Sequence, residues 1–557
     1  MNFIGIYDAN KNLSLEEKHL LLKFKPIPAI LKETPLLLCA GKSTFEQLDK
    51  IQLAWNDEII YNTKNKSELN FGLSIEVIQN KLICHRGSIG HIPFLYRFHE
   101  GVLYFARFMK DLLTLTQKIP TQINTLKVTS FLQMTMFDAN STFYSNIERL
   151  EAGGVLSIMD GTLQCDWSHP SFQNSKDINP NTLKENLISN MKSLPSNTGC
   201  MVSGGIDSTT LAAIYSSFSN KKTSCFHFSI EDNQEDTQLA YQATEHCNFE
   251  LNEINISQWD PLQFITKDIE IFGEPHFHPN NYMFHQVGNL AIKKGIQSII
   301  DGSDGDSVFS RGHELILRNF SCGNLLKTLK YAKILKELEQ VTYPFIFKHW
   351  LIKPLLPPKV SANLFYSQMK IPEWINKDLL SETIYLEKEI QFLELEKQRY
   401  ANNEHQKDLF SPINQHILEL TDCTNYHSEL KWKYPYYDPK IVNMGMMAPE
   451  NWRINQGHER YLLRSVADQF LPKEVTWRKG KGSLGSGISQ GLYQHSQLLE
   501  KWEDIKPFTS EFIYAQQFEN SLNLYLKNPS YFLAIRIWPV FVLGYWLKNL
   551  KSRANTL

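Results

Sequence analysis

The stretch Ser203-Gly204-Gly205-Ile206-Asp207-Ser208 constrains this chain more than any other. An apolar run, Cys200-Met201-Val202, leads into it, and Thr209-Thr210-Leu211-Ala212-Ala213-Ile214 follows. That order predicts a buried strand, a tight turn and a helix. Two adjacent glycines let the backbone approach a bulky anion with no Cβ in the way. The free N–H groups at the start of the new helix point at the same place. Ser203 and Ser208 add hydroxyl donors, and Asp207 is a candidate ligand for a metal ion beside the phosphates. No lysine follows the glycines, so this is not the Gly-x-x-x-x-Gly-Lys phosphate loop.

A second acidic turn, Asp301-Gly302-Ser303-Asp304-Gly305-Asp306, follows the apolar pair Ile299-Ile300. Predicted strands at Met201, Phe226–Phe228 and Ser298–Ile300 alternate with helical patterns at 208–219, 236–247 and 281–294. Such alternation predicts an α/β fold, a parallel sheet with helices on both faces and ligands at the C-terminal strand ends. The two turns would then face one site. Asp207 and Asp306 would share one or two Mg²⁺ ions bridging triphosphate oxygens. As a calcium loop the second turn lacks the bidentate Glu.

The first ~170 residues read as strand-rich, with apolar runs at 3–7, 36–40, 81–85, 102–106 and 154–158. Asn174 to Pro180 is a polar linker. Beyond residue 312 the chain reads as mostly helical, with a charged amphipathic helix over 378–402. Tyr531 to Leu547 is apolar but carries Arg536 and Pro539, which predicts a core helix rather than a membrane span. A net charge of −2 gives no electrostatic case for nucleic acid. The eight cysteines are scattered without a C-x-x-C pair, as expected of thiols in a reducing cytoplasm. No secretory start is apparent. The expectation is a cytoplasmic protein with no nucleic-acid and no membrane partner.

Residues 203–208 resemble the pyrophosphate loop of ATP pyrophosphatases, enzymes that split ATP into AMP and pyrophosphate. An ordered series extends the resemblance to the synthetase domain of the asparagine synthetase family: Ser203 to Ser208, Glu274-Pro275 with Pro279, Asp301 to Asp306, Tyr434-Pro435-Tyr436-Tyr437-Asp438, Gly457 with Arg460 and Arg464, Leu471-Pro472, and Trp477-Arg478 with Lys481. The resemblance implies that a carboxylate attacks the α-phosphorus of ATP, pyrophosphate leaves, and an amine captures the acyl-adenylate as an amide. It implies ATP and Mg²⁺, with the adenine read by backbone at Met201, Phe228, Asp301 and Gly302. It divides the chain into residues 1–173 and a synthetase domain over 181–557.

The first part also resembles the family, through Arg86-Gly87-Ser88-Ile89-Gly90-His91-Ile92-Pro93-Phe94-Leu95-Tyr96 and Ile147-Glu148-Arg149-Leu150 with Gly153. This is the pattern of a class II glutamine amidotransferase, an Ntn-like β-rich sandwich. Such glutaminases need Cys directly after the initiator Met, because its amine and thiol form the nucleophile–base pair. Asn2 stands there. Cys39 lies inside an apolar run and reads as core. The domain is therefore expected to be degenerate.

That loss resembles the branch whose amine comes from the substrate itself, the β-lactam synthetases and lasso-peptide cyclases. Glu419 sits at the offset of a base that works with a tyrosine in the β-lactam enzymes, against the alternative of a helix-surface carboxylate. The tyrosine's place is Ser303 here. Lys481, with Lys479 as competitor, is the candidate for steadying the α-phosphate and the tetrahedral intermediate. Arg460 and Arg464 read either as phosphate contacts or as helix-surface charges. The resemblance then implies a peptide or small-molecule carboxylate substrate, macrolactam formation as in lasso-peptide cyclases, and a leader peptidase and leader-binding protein as partners. The rival readings are amidation of an acid with ammonia and an inactive nucleotide-binding or peptide-binding scaffold. Ser307 after Asp306, and Lys431, depart from the usual acidic residues and keep the scaffold reading open.

Overall fold

A computed structural model describes residues 3–8, 28–30, 36–40, 72–78, 81–136, 138–168, 170–174, 177–230, 234–366, 371–379, 382–401, 403–424, 430–480 and 482–554. Among the described residues, ten strands precede residue 168. They are β1 (Phe3–Asp8), β2 (Pro28–Ile30), β3 (Leu36–Ala40), β4 (Leu73–Ile78), β5 (Lys81–Arg86), β6 (Leu95–His99), β7 (Val102–Ala106), β8 (Glu148–Arg149), β9 (Gly154–Met159) and β10 (Thr162–Trp167). They form two antiparallel sheets, ordered β2-β3-β1-β7-β6-β8 and β10-β9-β5-β4.

Period-two alternation sorts the two faces of β1. Phe3 and Tyr7 enter the space between the sheets with Leu82, Phe94, Phe105 and Ile158. Phe94 and Phe105 stack there at 5.3 Å. Ile4 and Ile6 point the other way, into a core shared with the far half of the chain, where Ile265, Ile269, Trp538 and Phe541 lie.

The second half is built on five parallel strands: β11 (Thr198–Met201), β12 (Thr223–Ser229), β13 (Phe249–Asn255), β14 (Ser298–Ile300) and β15 (Lys431–Lys433). Their order is β13-β12-β11-β14-β15. The sheet is buried on both faces. Cys200, Cys225 and Ile300 join the core beneath helix Ile206–Phe218, while Met201, Phe226 and Ile299 join Val287 and Ala291 of helix Asn281–Lys293. The winding reverses between β11 and β14, which opens a crevice at their C-terminal ends.

The apolar run near the end forms the helix Tyr531–Ala554, with Ile537, Trp538, Phe541 and Trp546 buried. Trp546 donates from Nε1 to the Gly273 carbonyl at 2.9 Å and meets Phe143 and Tyr144 edge-on at 5.4 and 5.6 Å. It thereby ties the β-rich half to the parallel-sheet half. Among the described residues, no helix is long and apolar enough to cross a membrane.

Candidate functional site

Both acidic turns sit at the reversal point. The first leaves β11 and starts helix Ile206–Phe218, whose N-cap, Gly205, makes no side-chain cap hydrogen bond. Gly204 has φ +73°, and a Cβ there would fall 2.2 Å from the Asp236 carbonyl oxygen. Only glycine meets both demands. Ser208 Oγ accepts from the Ser203 amide at 3.0 Å and lies 2.9 Å from Ser203 Oγ, while Gly205 donates to Ser203 Oγ at 3.2 Å. The two hydroxyls thus hold the turn open.

The second turn leaves β14 and packs directly on the first. A Cβ on Gly302 would meet the Ser208 backbone at 2.4 Å, and one on Gly305 would meet Asp207 Oδ1 at 2.6 Å. The structure therefore brings Ser203, Gly204, Gly205, Asp207 and Ser208 together with Asp301, Gly302 and Asp306. Met201 and Phe228 stand at the ends of the neighbouring strands, where the resemblance places the adenine.

Asp207 and Asp306 each have an arginine. Arg460 donates to Asp207 Oδ2 at 2.5 Å, and Arg311 donates to Asp306 Oδ2 from Nε at 3.0 Å. Burial opposes the charge of Arg460, but Asp207, Glu459 and Asp306 outweigh it and raise its already high pKa. Asp207 Oδ1 is buried with no hydrogen-bond partner. That orphaned oxygen, with a glycine facing it, suits a small hard cation. Among the described residues no three His, Cys, Asp or Glu side chains converge on a metal position. Mg²⁺ ordinarily keeps waters and phosphate oxygens beside one or two carboxylates, so the pair fits it.

The Tyr-Pro-Tyr-Tyr-Asp segment braces the turns from below. Tyr436 donates to the Asp207 carbonyl at 2.7 Å, and Tyr437 donates to the Asp304 carboxylate. Asp304 itself has φ +60°. Burial pushes its carboxyl up to about 6; the Tyr437 hydrogen bond opposes that, and the neighbouring Asp306 and Asp301 reinforce it. Asp438 caps the helix Pro439–Met447. At the expected tyrosine position, Ser303 donates to Asp301 at 2.8 Å.

Arg464 is no helix-surface charge. It is buried, and it donates to the carbonyls of Thr476 and Arg478 at 2.6 and 3.1 Å. Burial and the adjacent Arg460 lower it to about 10. It fixes the segment that leads to Lys481. Arg478 donates to Asp236, whose carbonyl lies against Gly204, so that segment is tied to the phosphate turn. Lys479 is exposed. Lys481 lies outside the described residues.

Glu419 differs from both expectations for it. It is 1% exposed and so is no helix-surface carboxylate, and its partners lie at the junction of the two halves rather than in the two turns. Arg86 donates to its Oε1 at 2.5 Å, Arg149 Nε stands 2.8 Å from Oε2, and Gln415 donates at 3.1 Å. Arg149 also donates to Glu274 at 2.8 Å, and Glu274 accepts from the Phe143 amide at 2.9 Å. Four motif residues from distant parts of the chain thus form one buried charge network. A cavity of about 20 Å³ beside it is lined by Glu419, Glu274, Arg149, Lys127 and His416, with room for about one water. Sequence reading missed Arg311 and Tyr436 as partners of the turns. Arg311, five residues past Asp306, was the one cue to its pairing.

The comparisons agree with this geometry. The sequence profile of asparagine synthase matches residues 193–548, well over half the chain, and that of a glutamine amidotransferase domain matches residues 70–168. No curated protein matches the chain. The nucleotide-type turns, the parallel sheet that carries them and the long profile match together show that the chain belongs to the asparagine synthase family of ATP-dependent amide-bond-forming ligases.

Proposed function

We propose that this protein activates a peptide carboxylate with ATP, releasing pyrophosphate, and that an amine of the same peptide captures the acyl group as a macrolactam. The observation that carries the ATP step is the contact of the two acidic turns, with the unpartnered Asp207 Oδ1 between them. The helix N-terminus and the Ser203 and Ser208 hydroxyls would bind the departing phosphates. Asp207 and Asp306 would hold Mg²⁺, which supplies charge neutralisation at the phosphate oxygens. Arg460 and Arg311 hold the two carboxylates in register. Lys481 is assigned to the α-phosphate by its place in the sequence series.

In the activation step a carboxylate oxygen bonds to the α-phosphorus and the bond to pyrophosphate breaks. In capture, the amine nitrogen bonds to the acyl carbon, gives up one proton and displaces AMP. That proton passes to solvent. The amine is assigned to the substrate rather than to glutamine. In the described β-rich half, burial pushes the Cys84 and Cys165 thiols up, away from the thiolate a glutaminase needs. A leader peptidase and a leader-binding protein are the proposed partners, in the cytoplasm.

The test is mass spectrometry of a candidate peptide with ATP and the protein. ATP-dependent loss of one water, with AMP and pyrophosphate formed and Asp207→Ala inactive, supports the reading. Unchanged peptide beside asparagine made from aspartate and ammonium would replace it with ammonia-dependent amidation.

A further inference from the structure

Ten of the 23 large apolar side chains exposed among the described residues fall between Phe320 and Leu364. Elsewhere such residues are spread thinly, so this stretch stands apart. The helix Leu325–Leu338 shows why. It buries Thr328, Tyr331, Ala332 and Leu335 at helical spacing. Its opposite, outward face presents Leu326 (83% exposed) and Leu329 (57%), followed by Lys330, Lys333 and Lys336 with a single acid, Glu337, among them. Ile352, Leu355 and Leu364 add exposed apolar surface further on.

The charge is as uneven as the hydrophobicity. Residues 322–366 contain seven lysines against two glutamates, with no Asp and no Arg, in a chain of net charge −2. Several of these lysines lie over aromatic rings. Lys336 Nζ sits 4.9 Å from the Tyr343 ring, and Lys348 and Lys353 sit 5.2 and 5.5 Å from that of Phe365. Their stems follow apolar surface while their ammonium groups stay at its rim, as snorkelling side chains do.

A peptide partner is held by a groove, but these leucines project from the outward face of a helix. Apolar residues followed along one face by lysines that outnumber its acids match the boundary between headgroups and acyl chains of an anionic bilayer. We propose that the outward face of helix Leu325–Leu338 docks this protein on an anionic membrane surface, with Leu326 and Leu329 entering the bilayer boundary and the lysines pairing with lipid phosphates. The expectation of no membrane partner rested on the lack of a spanning segment, and a helix lying on the surface needs none. The proposal is independent of the ligase reading.

The experiment is co-sedimentation of the full-length protein with phosphatidylcholine vesicles, with and without about 30% phosphatidylglycerol. The expected result is binding about tenfold tighter to the anionic vesicles, weakening as salt is raised. The variant L326Q/L329Q should bind about tenfold more weakly, with thermal unfolding and Mg-ATP binding unchanged. The variant K330E/K333E/K336E should lose the preference for anionic lipid. Absence of vesicle binding, or equal binding to both compositions, overturns the proposal. So does capture by soluble polyglutamate that L326Q/L329Q leaves intact, because the face would then serve an acidic polypeptide.

Discussion

Arg460 places Nη1 2.5 Å from Asp207 Oδ2, within the first turn of helix Ile206–Phe218. The arginine is 7% exposed, so the pair is sheltered from solvent. Removing one partner of a buried pair leaves a charge uncompensated. Arg460→Met should therefore cost about 3–5 kcal/mol of stability, and Arg460→Met with Asp207→Asn should cost less than the sum of the two. Urea denaturation of the four proteins of that cycle measures both.

Gly204→Ala should disable nucleotide binding more than it unfolds the protein. Its φ of +73° costs an alanine about 1–2 kcal/mol. The Cβ would also collide with the Asp236 carbonyl, forcing the phosphate turn away from helix Gln234–Cys247. Calorimetric titration with Mg-ATP should show affinity reduced by about tenfold or more. Gly161→Ala is the control. Its φ is +73° too, but nothing lies within 4 Å of its Cβ position, and its Mg-ATP affinity should match the wild type.

The junction network predicts that the β-rich half is needed for folding. Arg149 bridges Glu274 and Glu419, and Arg86 covers the other oxygen of Glu419. Arg149→Met leaves two buried carboxylates short of a partner and should destabilise by about 3–5 kcal/mol. Denaturation should stay a single transition if the shared core around Ile4, Ile269 and Trp538 couples the halves. Two separated transitions would show that it does not.

Asp304 predicts a pH dependence of stability. Its carboxyl is raised to about 6 in the fold, against about 3.9 in an unfolded chain. A raised acid binds its proton more tightly when folded. Its contribution is complete below pH ~4 and is lost as pH rises through ~6. The loss is on the order of 2–3 kcal/mol. Asp304→Asn should remove this slope and be more stable than the wild type at pH 7. Denaturation curves for both proteins from about pH 4 to 7 test it.

Much of this architecture was legible in the sequence. The strands at 198–201, 223–229 and 298–300 are apolar runs that parallel burial requires, and the glycines of the two turns announced where helices begin. β15 was not legible, because Lys-Trp-Lys is a polar edge strand whose identity comes from pairing with β14. Nor was the role of Arg464, which a helix pattern alone cannot separate from a surface charge. Glu419 shows the limit most plainly. Its partner Arg86 is 333 positions away, and only the packing of the two halves makes that carboxylate a buried bridge. Arg311 escaped notice because its bond to Asp306 depends on the turn at Ser310, not on a helical interval.

The central claim is that Asp207 and Asp306 serve one Mg-bound nucleotide at the meeting of the two turns. Calorimetric titration of ATP, with and without Mg²⁺, into the wild type, Asp207→Asn, Asp306→Asn and the double variant tests it most directly. The account predicts that Mg²⁺ strengthens wild-type binding, that each single variant loses most of that gain, and that the double variant loses little more. Mg²⁺-dependent binding that survives in both single variants would contradict it.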